Sequence, residues 1–413
     1  MGPESELIIE AMGGEGEGLA QGPAFVPYTL AGERVRARGD GERRDLVEVL
    51  RASPERVAPP CPHFGTCGGC ALQHWALEPY LAWKVGRLVA TLARERIETE
   101  IAPPFAAPPG SRRRLTLHAR SGRKDEARLG YKMRRSWTLV PVEACAIAAP
   151  RLVAAFPALR RLAAPLFEHP KSAPSLHLAL TDSGIDVEIS GVERKSGGLS
   201  GDARMRLAEA AAAGDFARVT LDGEVAYLAR QPTVRFGPAT VAMSPGAFLQ
   251  AVAAAEDAMA AFAVQAAAGA SRIADLYCGL GAFSFRLAAI APVLAADSDR
   301  AAIAALASAA GSAPGLKGVT AEARDLVRRP MLAAELKRID TVVFDPPRAG
   351  AAEQAAEIAR SKASRVVAIS CNPATFARDA SILIAAGFRL DRLLPVDQFL
   401  WSPHIELAAS FSR

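Results

Sequence analysis

Cys371 stands in Ser370-Cys-Asn-Pro373, after the apolar run Arg-Val-Val-Ala-Ile and before Ala374–Ala380, which reads as a helix with Pro373 at its first position. A thiol between a strand and a helix N-terminus meets the partial positive charge of the helix end, which is expected to lower its pKa toward thiolate. Asp345-Pro-Pro-Arg348 closes a second apolar run, Thr-Val-Val-Phe. Two prolines fix such a loop and leave its carbonyls free, so Asp345 reads as part of a rigid substrate-orienting loop.

Asp275-Leu-Tyr-Cys-Gly-Leu-Gly-Ala-Phe283 follows a third run and leads toward a helix. Gly279 and Gly281 would let backbone approach a bound cofactor closely. A dinucleotide fingerprint needs a third glycine where Ser284 stands. A phosphate cradle needs a Lys after the loop, and none follows. Asp297 ends the next strand, where a carboxylate can accept hydrogen bonds from both ribose hydroxyls. Together these residues read as an S-adenosylmethionine site.

A thiolate beside a methyl donor suggests a specific chemistry. The C5 carbon of uracil is too poor a nucleophile to take a methyl group unaided. Addition of a thiolate at C6 makes an enolate and renders C5 nucleophilic; a base then removes the C5 proton and the thiol is eliminated. Glu406, in His404-Ile-Glu406, can supply that base. A further set, Cys61-x5-Cys67-x2-Cys70 with Cys145 downstream, offers four thiolates. All-thiolate sites hold zinc or iron–sulfur clusters. His63 and His74 could complete a zinc site, so spacing leaves the metal open.

Three kinds of sequence must position these groups. The first sixty residues alternate apolar and polar side chains in short runs (Glu6–Glu10, Ala24–Pro27, Glu33–Ala37, Leu46–Leu50) between Gly-rich turns, which predicts a small closed barrel. A helical stretch covers Trp75–Ile97. Residues 111–135 then hold ten basic residues, Arg112, Arg113, Arg114, Arg120, Arg123, Lys124, Arg128, Lys132, Arg134 and Arg135, against Asp125 and Glu126, a local charge of +8. Interleaved with Leu115, Leu117, Leu129, Tyr131 and Trp137, the run suggests strands with one buried and one cationic face suited to phosphate neutralisation. From Gln231 the chain alternates strands with Ala-rich helices. Strands are expected at Ile273–Tyr277, Val293–Ala296, Gly318–Ala321, Thr341–Phe344, Val366–Ser370, Leu390–Val396 and Ile405–Phe411. The first five alternate with helices, giving an α/β, mostly parallel sheet whose ligands bind beyond the strands' carboxyl ends.

On these motifs the chain resembles bacterial RNA uracil-5-methyltransferases of the TrmA family, most of all the 23S ribosomal RNA branch. Ser370-Cys-Asn-Pro-Ala-Thr-Phe-Ala-Arg-Asp379 and Asp345-Pro-Pro-Arg-Ala-Gly350 carry the likeness. Met243-Ser-Pro-Gly-Ala-Phe-Leu-Gln250, the Asp275 loop and His404-Ile-Glu406 occur in the family's order, and Gly13–Gly22 with Ser53-Pro-Glu-Arg56 looks TRAM-like. The resemblance implies a Rossmann-like class I S-adenosylmethionine methyltransferase domain (231–413), a TRAM, OB-like β-barrel (1–58) and a central α+β iron–sulfur and RNA-binding domain (59–230), with the helix over 75–100 able to pack on the catalytic domain. It implies Cys371 as nucleophile and Glu406 as base. Gln250, Tyr277, Gly279, Gly281, Asp297, Asp325 and Asp345 would line the cofactor and uracil pocket, and Phe248 would stack near a flipped base. Cys61, Cys67, Cys70 and Cys145 would ligate a [4Fe-4S] cluster, zinc being the alternative, and Arg112, Arg113, Arg114, Lys132 and Arg134 would meet RNA. The chain departs from the family pattern at Ala282, often Asn, and at Asp297, where Glu is common. It departs again at Arg324-Asp325 and at Ala251-Val252. A tRNA uracil-5-methyltransferase and a non-catalytic RNA-binding factor are the competing readings.

Composition agrees. The 413 residues are half hydrophobic with 23% charged and a net charge of +5, ordinary globular values for two or three domains. Six cysteines are too sparse for a secreted disulfide scaffold. The acidic N-terminus lacks a signal peptide's basic and apolar regions, and Glu6 rules out myristoylation. The Ala-rich stretch near 250–270 carries Glu256, Asp257 and Gln265, which a membrane span would avoid. A cytoplasmic protein with RNA as partner, no membrane and no obligate protein partner is expected.

Overall fold

The computed structural model describes residues 2–122, 126–193 and 198–413; Arg123, Lys124 and Asp125 of the basic run lie outside them. Strands β1 (Glu4–Met12), β2 (Gly18–Ala20), β3 (Ala24–Val26), β4 (Arg34–Arg38) and β5 (Asp45–Arg51) form an antiparallel sheet ordered β3-β2-β1-β4-β5. A bulge between Ile9 and Ala11 bends β1, so its first half pairs with β4 and its second with β2. The sheet curls until Phe25 bridges Arg43. Ile9, Ala20, Ala24, Val26, Val35 and Ala37 fill the inside. This curled sheet fits the expected N-terminal barrel.

Helix α1 (Leu77–Arg94) and the two-residue strands β6 (Glu100–Ile101) and β7 (Phe105–Ala106) come next in the chain but sit elsewhere in space. A seven-stranded sheet follows, made of β8 (Arg114–Arg120), β9 (Arg128–Lys132), β10 (Leu139–Pro141), β11 (Ser175–Thr181), β12 (Gly184–Ser190), β13 (Arg218–Leu221) and β14 (Glu224–Leu228), ordered β10-β9-β8-β11-β12-β13-β14. Helices α2 (Pro150–Ala154), α3 (Phe156–Ala163) and α4 (Gly201–Ala213) accompany it, with Phe156, Leu159, Leu176, Val187, Leu207 and Phe216 in the core. The hairpin β15 (Thr233–Phe236) and β16 (Ala239–Ala242) then leads into α5 (Ala253–Ala266).

The last sheet contains β17 (Ile273–Leu276), β18 (Val293–Asp297), β19 (Val319–Ala323), β20 (Thr341–Phe344), β21 (Arg365–Ser370), β22 (Arg389–Asp397) and β23 (Glu406–Ser412). The first five are parallel in the order β19-β18-β17-β20-β21, and β23 runs antiparallel between β21 and β22. Helices α6 (Ser284–Ala288), α7 (Arg300–Ser312), α8 (Ala352–Arg360) and α9 (Pro373–Ala385) make crossovers. The connection from β19 to β20 differs from expectation. It carries a 3-10 turn at Glu335–Arg338 instead of an α-helix; Pro330 within it lacks the N–H a continuing helix would use.

β6 and β7 pair in parallel with β22, so residues from before the central sheet complete the edge of the last one. Leu88 and Leu92 of α1 and Ile97 beyond it share a core with Phe376, Leu383 and Leu390. One buried network locks α1 in place. Fully buried Lys84 donates to Asp397 Oδ1 at 2.6 Å and to Tyr80 Oη at 2.7 Å, and Tyr80 donates to Asp397 Oδ2 at 2.7 Å. Desolvation outweighs the attraction of Asp397 and lowers the Lys84 pKa to about 8. Among the described residues no helix is long and apolar enough to cross a membrane.

Candidate active site

The end of β17 turns sharply. Tyr277 takes φ +62°, rare for a side chain of its size, and Gly279 and Gly281 take +52° and +92°. A Cβ on Gly281 would lie 2.7 Å from Phe285 and 2.8 Å from Leu306, so only glycine lets this loop rest on the helices behind it. A Cβ on Gly279 would meet nothing within 4 Å, which marks the open side. Gly279 N–H donates to Asp297 Oδ2 at 2.9 Å, and Asp299 N–H to Asp297 Oδ1 at 2.9 Å. Beneath the loop, Asp275 is fully buried, accepts from the Ser284 hydroxyl and leaves Oδ1 without a partner. Burial pushes it up to about 7.

Asp345, at the end of β20, is pushed up to about 7 by desolvation, with Asp297 adding. Asp325 lies just past β19 and caps its own turn, accepting from the N–H groups of Val327 and Arg328 at 3.1 Å each. Tyr277 has its hydroxyl pKa raised, first by burial and then by Asp379, Glu353, Asp325 and Asp297.

Cys371 and Glu406 come from neighbouring strands. Ser370 pairs with Leu407 in the β21–β23 ladder, and one step further along that antiparallel register sets Cys371 opposite Glu406. A wide separation of the two would favour a non-catalytic RNA-binding factor; the register sets them close together. Glu406 is 6% exposed and pushed up to about 8 by burial, with Asp345 adding and a hydrogen bond from Gln398 opposing. The expected lowering of the Cys371 pKa is not found. Desolvation, then Glu406 and Asp345, raise it, and Arg348 offsets only part. The helix end is outweighed by burial first, and then by two carboxylates that arrive from other parts of the chain.

Gln398 has no place in the sequence reading, yet it joins the site. Its Nε2 donates to Glu406 and, at 2.8 Å, to Gln250 Oε1, while its Oε1 accepts from Val252 N–H at 3.2 Å. Gln250 in turn donates to Asp345 Oδ2 at 3.3 Å. A polar residue just past a strand's carboxyl end was the available signal. The Ser370–Asp379 motif also explains itself here. Asn372 and Thr375 donate to the Arg348 carbonyl, Arg378 donates to that of Ala349, and Asp379 accepts from Ala351 N–H at 2.7 Å. The second motif thus clamps the Asp345-Pro-Pro-Arg loop beside Cys371.

A cavity of about 180 Å³ opens on Cys371, and its walls include Gly14 and Glu15 of the β1–β2 loop, Arg87 of α1, Arg348 and His404. The arginines at the start of the basic run face the catalytic unit instead of forming an outward cationic face. Arg113 donates to the Gln250 carbonyl at 2.9 Å and pairs with buried Glu256 at 2.7 Å. Arg114 donates to the Leu249 carbonyl at 2.6 Å and lies over the exposed ring of Phe248, and Arg112 donates to the Arg114 carbonyl. Arg134 pairs with Glu17 of the barrel at 2.7 Å. Arg113, Arg114 and Arg134 thus tie the segment around β8 and β9 to the Leu249–Glu256 region and to the first sheet. The ammonium of Lys132 lies over Trp137.

Cys61, Cys67, Cys70 and Cys145 line one cavity of about 260 Å³ together with His63 and Tyr131. Burial pushes Cys70 up to about 12 and raises Cys67. Among the described residues no group of three or more His, Cys, Asp or Glu side chains could hold a metal ion. The zinc alternative through histidine loses support. His74 is fully buried away from this cavity with neither ring nitrogen partnered, and His63 Nε2 accepts from Glu143 N–H at 3.3 Å.

Residues 239–413 match the family model described as tRNA (Uracil-5-)-methyltransferase. Across 99% of this chain and all of the relative, the protein is 63% identical to an uncharacterized RNA methyltransferase of Caulobacter vibrioides. Across 97% of this chain and 88% of the relative, it is 33% identical to a Halomonas elongata protein named 23S rRNA (uracil(1939)-C(5))-methyltransferase RlmD. The crystal structure of the Pyrococcus abyssi tRNA (uracil-54, C5)-methyltransferase with S-adenosyl-L-homocysteine superposes with a TM-score of 0.73 at 23% identity, covering 98% of this chain and 99% of that one. That likeness shows a shared fold. The chain belongs with these RNA methyltransferases, is S-adenosylmethionine-dependent, and carries over residues 239–413 a domain of the tRNA (uracil-5-)-methyltransferase family.

Proposed function

We propose that the protein methylates C5 of a uracil in RNA, with 23S rRNA as its substrate class, through a covalent bond between Cys371 Sγ and uracil C6. The opposition of Cys371 and Glu406 across β21 and β23 carries this reading. The site's residues fit S-adenosylmethionine. The glycine loop has an open side, Asp275 keeps an unpartnered oxygen, and Asp275, Asp345 and Glu406 all have raised pKa values that a cationic ligand would relieve. When bound, this cofactor supplies an electrophilic methyl group. Gly279, Gly281, Asp297 and Tyr277 would seat it, and Asp325 closes the same row of strand ends.

Cys371 adds as thiolate to C6, and its electron pair moves through the ring so that C5 takes the methyl group. The Glu406 carboxylate then removes the C5 proton, the C5–C6 double bond re-forms and the thiolate leaves. Gln398 and Gln250 link the Glu406 and Asp345 carboxylates through one chain of hydrogen bonds, and the second N–H of the Gln250 amide is left for the pyrimidine edge. Phe248, exposed at the rim, can stack on a base drawn out of its helix.

Four thiols on one cavity wall match the donor set of a [4Fe-4S] cluster. Cys61, Cys67, Cys70 and Cys145 would hold the cluster as a structural tie, because the methyl transfer moves no electrons. The 23S rRNA assignment rests on the RlmD relative, similar over nearly the whole chain. Transfer of labelled methyl to 23S rRNA and tRNA transcripts tests it: label in 23S rRNA with unmodified protein and none with Cys371→Ala is expected. Equal labelling by both proteins removes the covalent mechanism, and label confined to tRNA moves the substrate.

A further inference from the structure

The turn between β9 and β10 presents a surface that the uracil site does not use. Trp137 at its tip is 78% exposed, whereas Trp75 and Trp401 are buried. The turn is rigid. Met133 N–H donates to the Thr138 carbonyl at 2.9 Å, Ser136 N–H to the Met133 carbonyl at 3.1 Å, and the Ser136 hydroxyl to Thr138 Oγ1 at 3.0 Å. The Lys132 ammonium sits 3.7 Å from the centre of the Trp137 ring.

Two anchors fix where this indole stands. On one side the cysteine loop lies against the turn: Gly68 N–H donates to the Lys132 carbonyl at 3.0 Å, and Cys67 bridges Met133. A Cβ on Gly68 would fall 2.8 Å from that carbonyl, so only glycine allows the approach. On the other side Arg134 and Arg135 donate to Glu17 at 2.7 and 2.9 Å. Glu17 belongs to the barrel loop whose Gly14 and Glu15 wall the Cys371 cavity. The turn is therefore clamped beside the loop that borders the reaction site.

We infer that Trp137, with Lys132, is a stacking platform for an unpaired RNA nucleotide that flanks the one delivered to Cys371. This rests on the RNA-methylation reading above. The turn that carries the indole is already ordered, so little backbone freedom is lost when a base stacks on it, and stacking tolerates any base. The ammonium over one face of the ring leaves the other to a base, and with the half-exposed guanidinium of Arg135 it supplies phosphate partners. An apolar protein partner would instead meet a ring bordered by cations.

The test uses the full-length protein and a uridine-rich RNA transcript, single-stranded or annealed to its complement. Single-stranded RNA should quench the tryptophan emission of the wild type, and duplex RNA should not. Trp137→Ala should lose the quenching, bind single-stranded RNA about tenfold more weakly, the scale of one lost stacking contact, and show the same rise in KM. Trp137→Phe should restore most of the affinity, and Met205→Ala, an exposed apolar change on α4, should leave it as it is. Unaltered RNA affinity in Trp137→Ala overturns the platform and turns attention to a protein partner. Quenching by single-stranded RNA from a wild type that transfers no methyl would sink the methylation reading and leave the platform standing.

Discussion

The carboxyl end of the catalytic sheet and the cysteine cavity each gather four ionisable side chains, but from different kinds of element. Asp275, Asp297, Asp345 and Glu406 stand at the ends of β17, β18, β20 and β23. Strands about 4.8 Å apart bring such groups together whatever binds there. The result is burial of several carboxyl groups side by side: desolvation first, and neighbouring carboxylates second, raise the pKa values of Asp275, Asp345 and Glu406. Cys61, Cys67 and Cys70 lie on a segment without regular strands or helices, and Cys145 joins them from beyond β10. Backbone packing of regular strands sets the first geometry; loop contacts set the second, such as Gly68 N–H to the Lys132 carbonyl and the Cys67–Met133 bridge. The lesson is that the reacting groups are preorganised by the sheet, while the thiols are brought together by loops, and the proposed cluster would add a further tie.

The largest break in the comparison is Cys371→Ala. Removing a nucleophile costs about 10⁴-fold or more in turnover, and this half-buried side chain carries little of the core, so the melting temperature should barely move. Single-turnover methyl transfer with thermal melting checks both. Next comes Glu406→Gln, which keeps the shape and the contact with Gln398 but cannot take the C5 proton. A loss of about 10²–10⁴-fold is expected, together with a protein–RNA adduct that survives denaturing gels. Loss of activity with no adduct would move proton removal to another group.

Stability effects come third. Lys84→Met leaves the Asp397 carboxylate buried without its cation, a change worth about 3–5 kcal/mol. Denaturant unfolding should show that loss, and Lys84→Met combined with Asp397→Leu should recover much of it, because the cost lies in the orphaned charge. Since Gln398 follows Asp397 directly, the single variant should also weaken methyl transfer. If the double variant is as unstable as the single one, the network is held by packing and not by charge.

These residues also show what could be read from sequence. The parallel strands β17, β18, β20 and β21 were legible because each is a short, mostly apolar run, and the residues at or just past their ends, Tyr277, Asp297, Asp345 and Cys371, have one place to go. β6 and β7 were not. Two residues have no periodicity, and Glu100–Ile101 and Phe105–Ala106 are strands only because β22 is there to pair with. Gln398 was hidden for a related reason: its partners Gln250 and Glu406 are joined to it by folding, with no spacing to announce them. The arginine run showed its charge correctly, but which arginines turn inward depends on carbonyls more than a hundred residues away, such as those of Leu249 and Gln250. The Cys371 pKa differs from expectation on the same ground, since the helix end is local whereas burial and the two carboxylates come with the tertiary fold.

The finest test of the preorganised end is its pH dependence. Glu406 must be ionised to take a proton, and burial holds it near 8, well above its ordinary value. The carboxylate form is therefore scarce at pH 6 and gains tenfold per pH unit until the limb flattens near 8. Cys371 adds to the same trend, because its thiol is also raised and must also lose a proton. The log of kcat/KM for RNA should climb steeply from pH 6 to about 8 and less steeply above it, where only the Cys371 thiol still has its proton to lose. Gln398 donates to the Glu406 carboxylate and favours its charged form, so Gln398→Leu should move that limb upward by about one unit, the size of one hydrogen bond to a charged group. A limb that stays in place would mean that the ionisation seen in the rate belongs to Cys371 alone, and that the Gln398 amide orients Glu406 without tuning it.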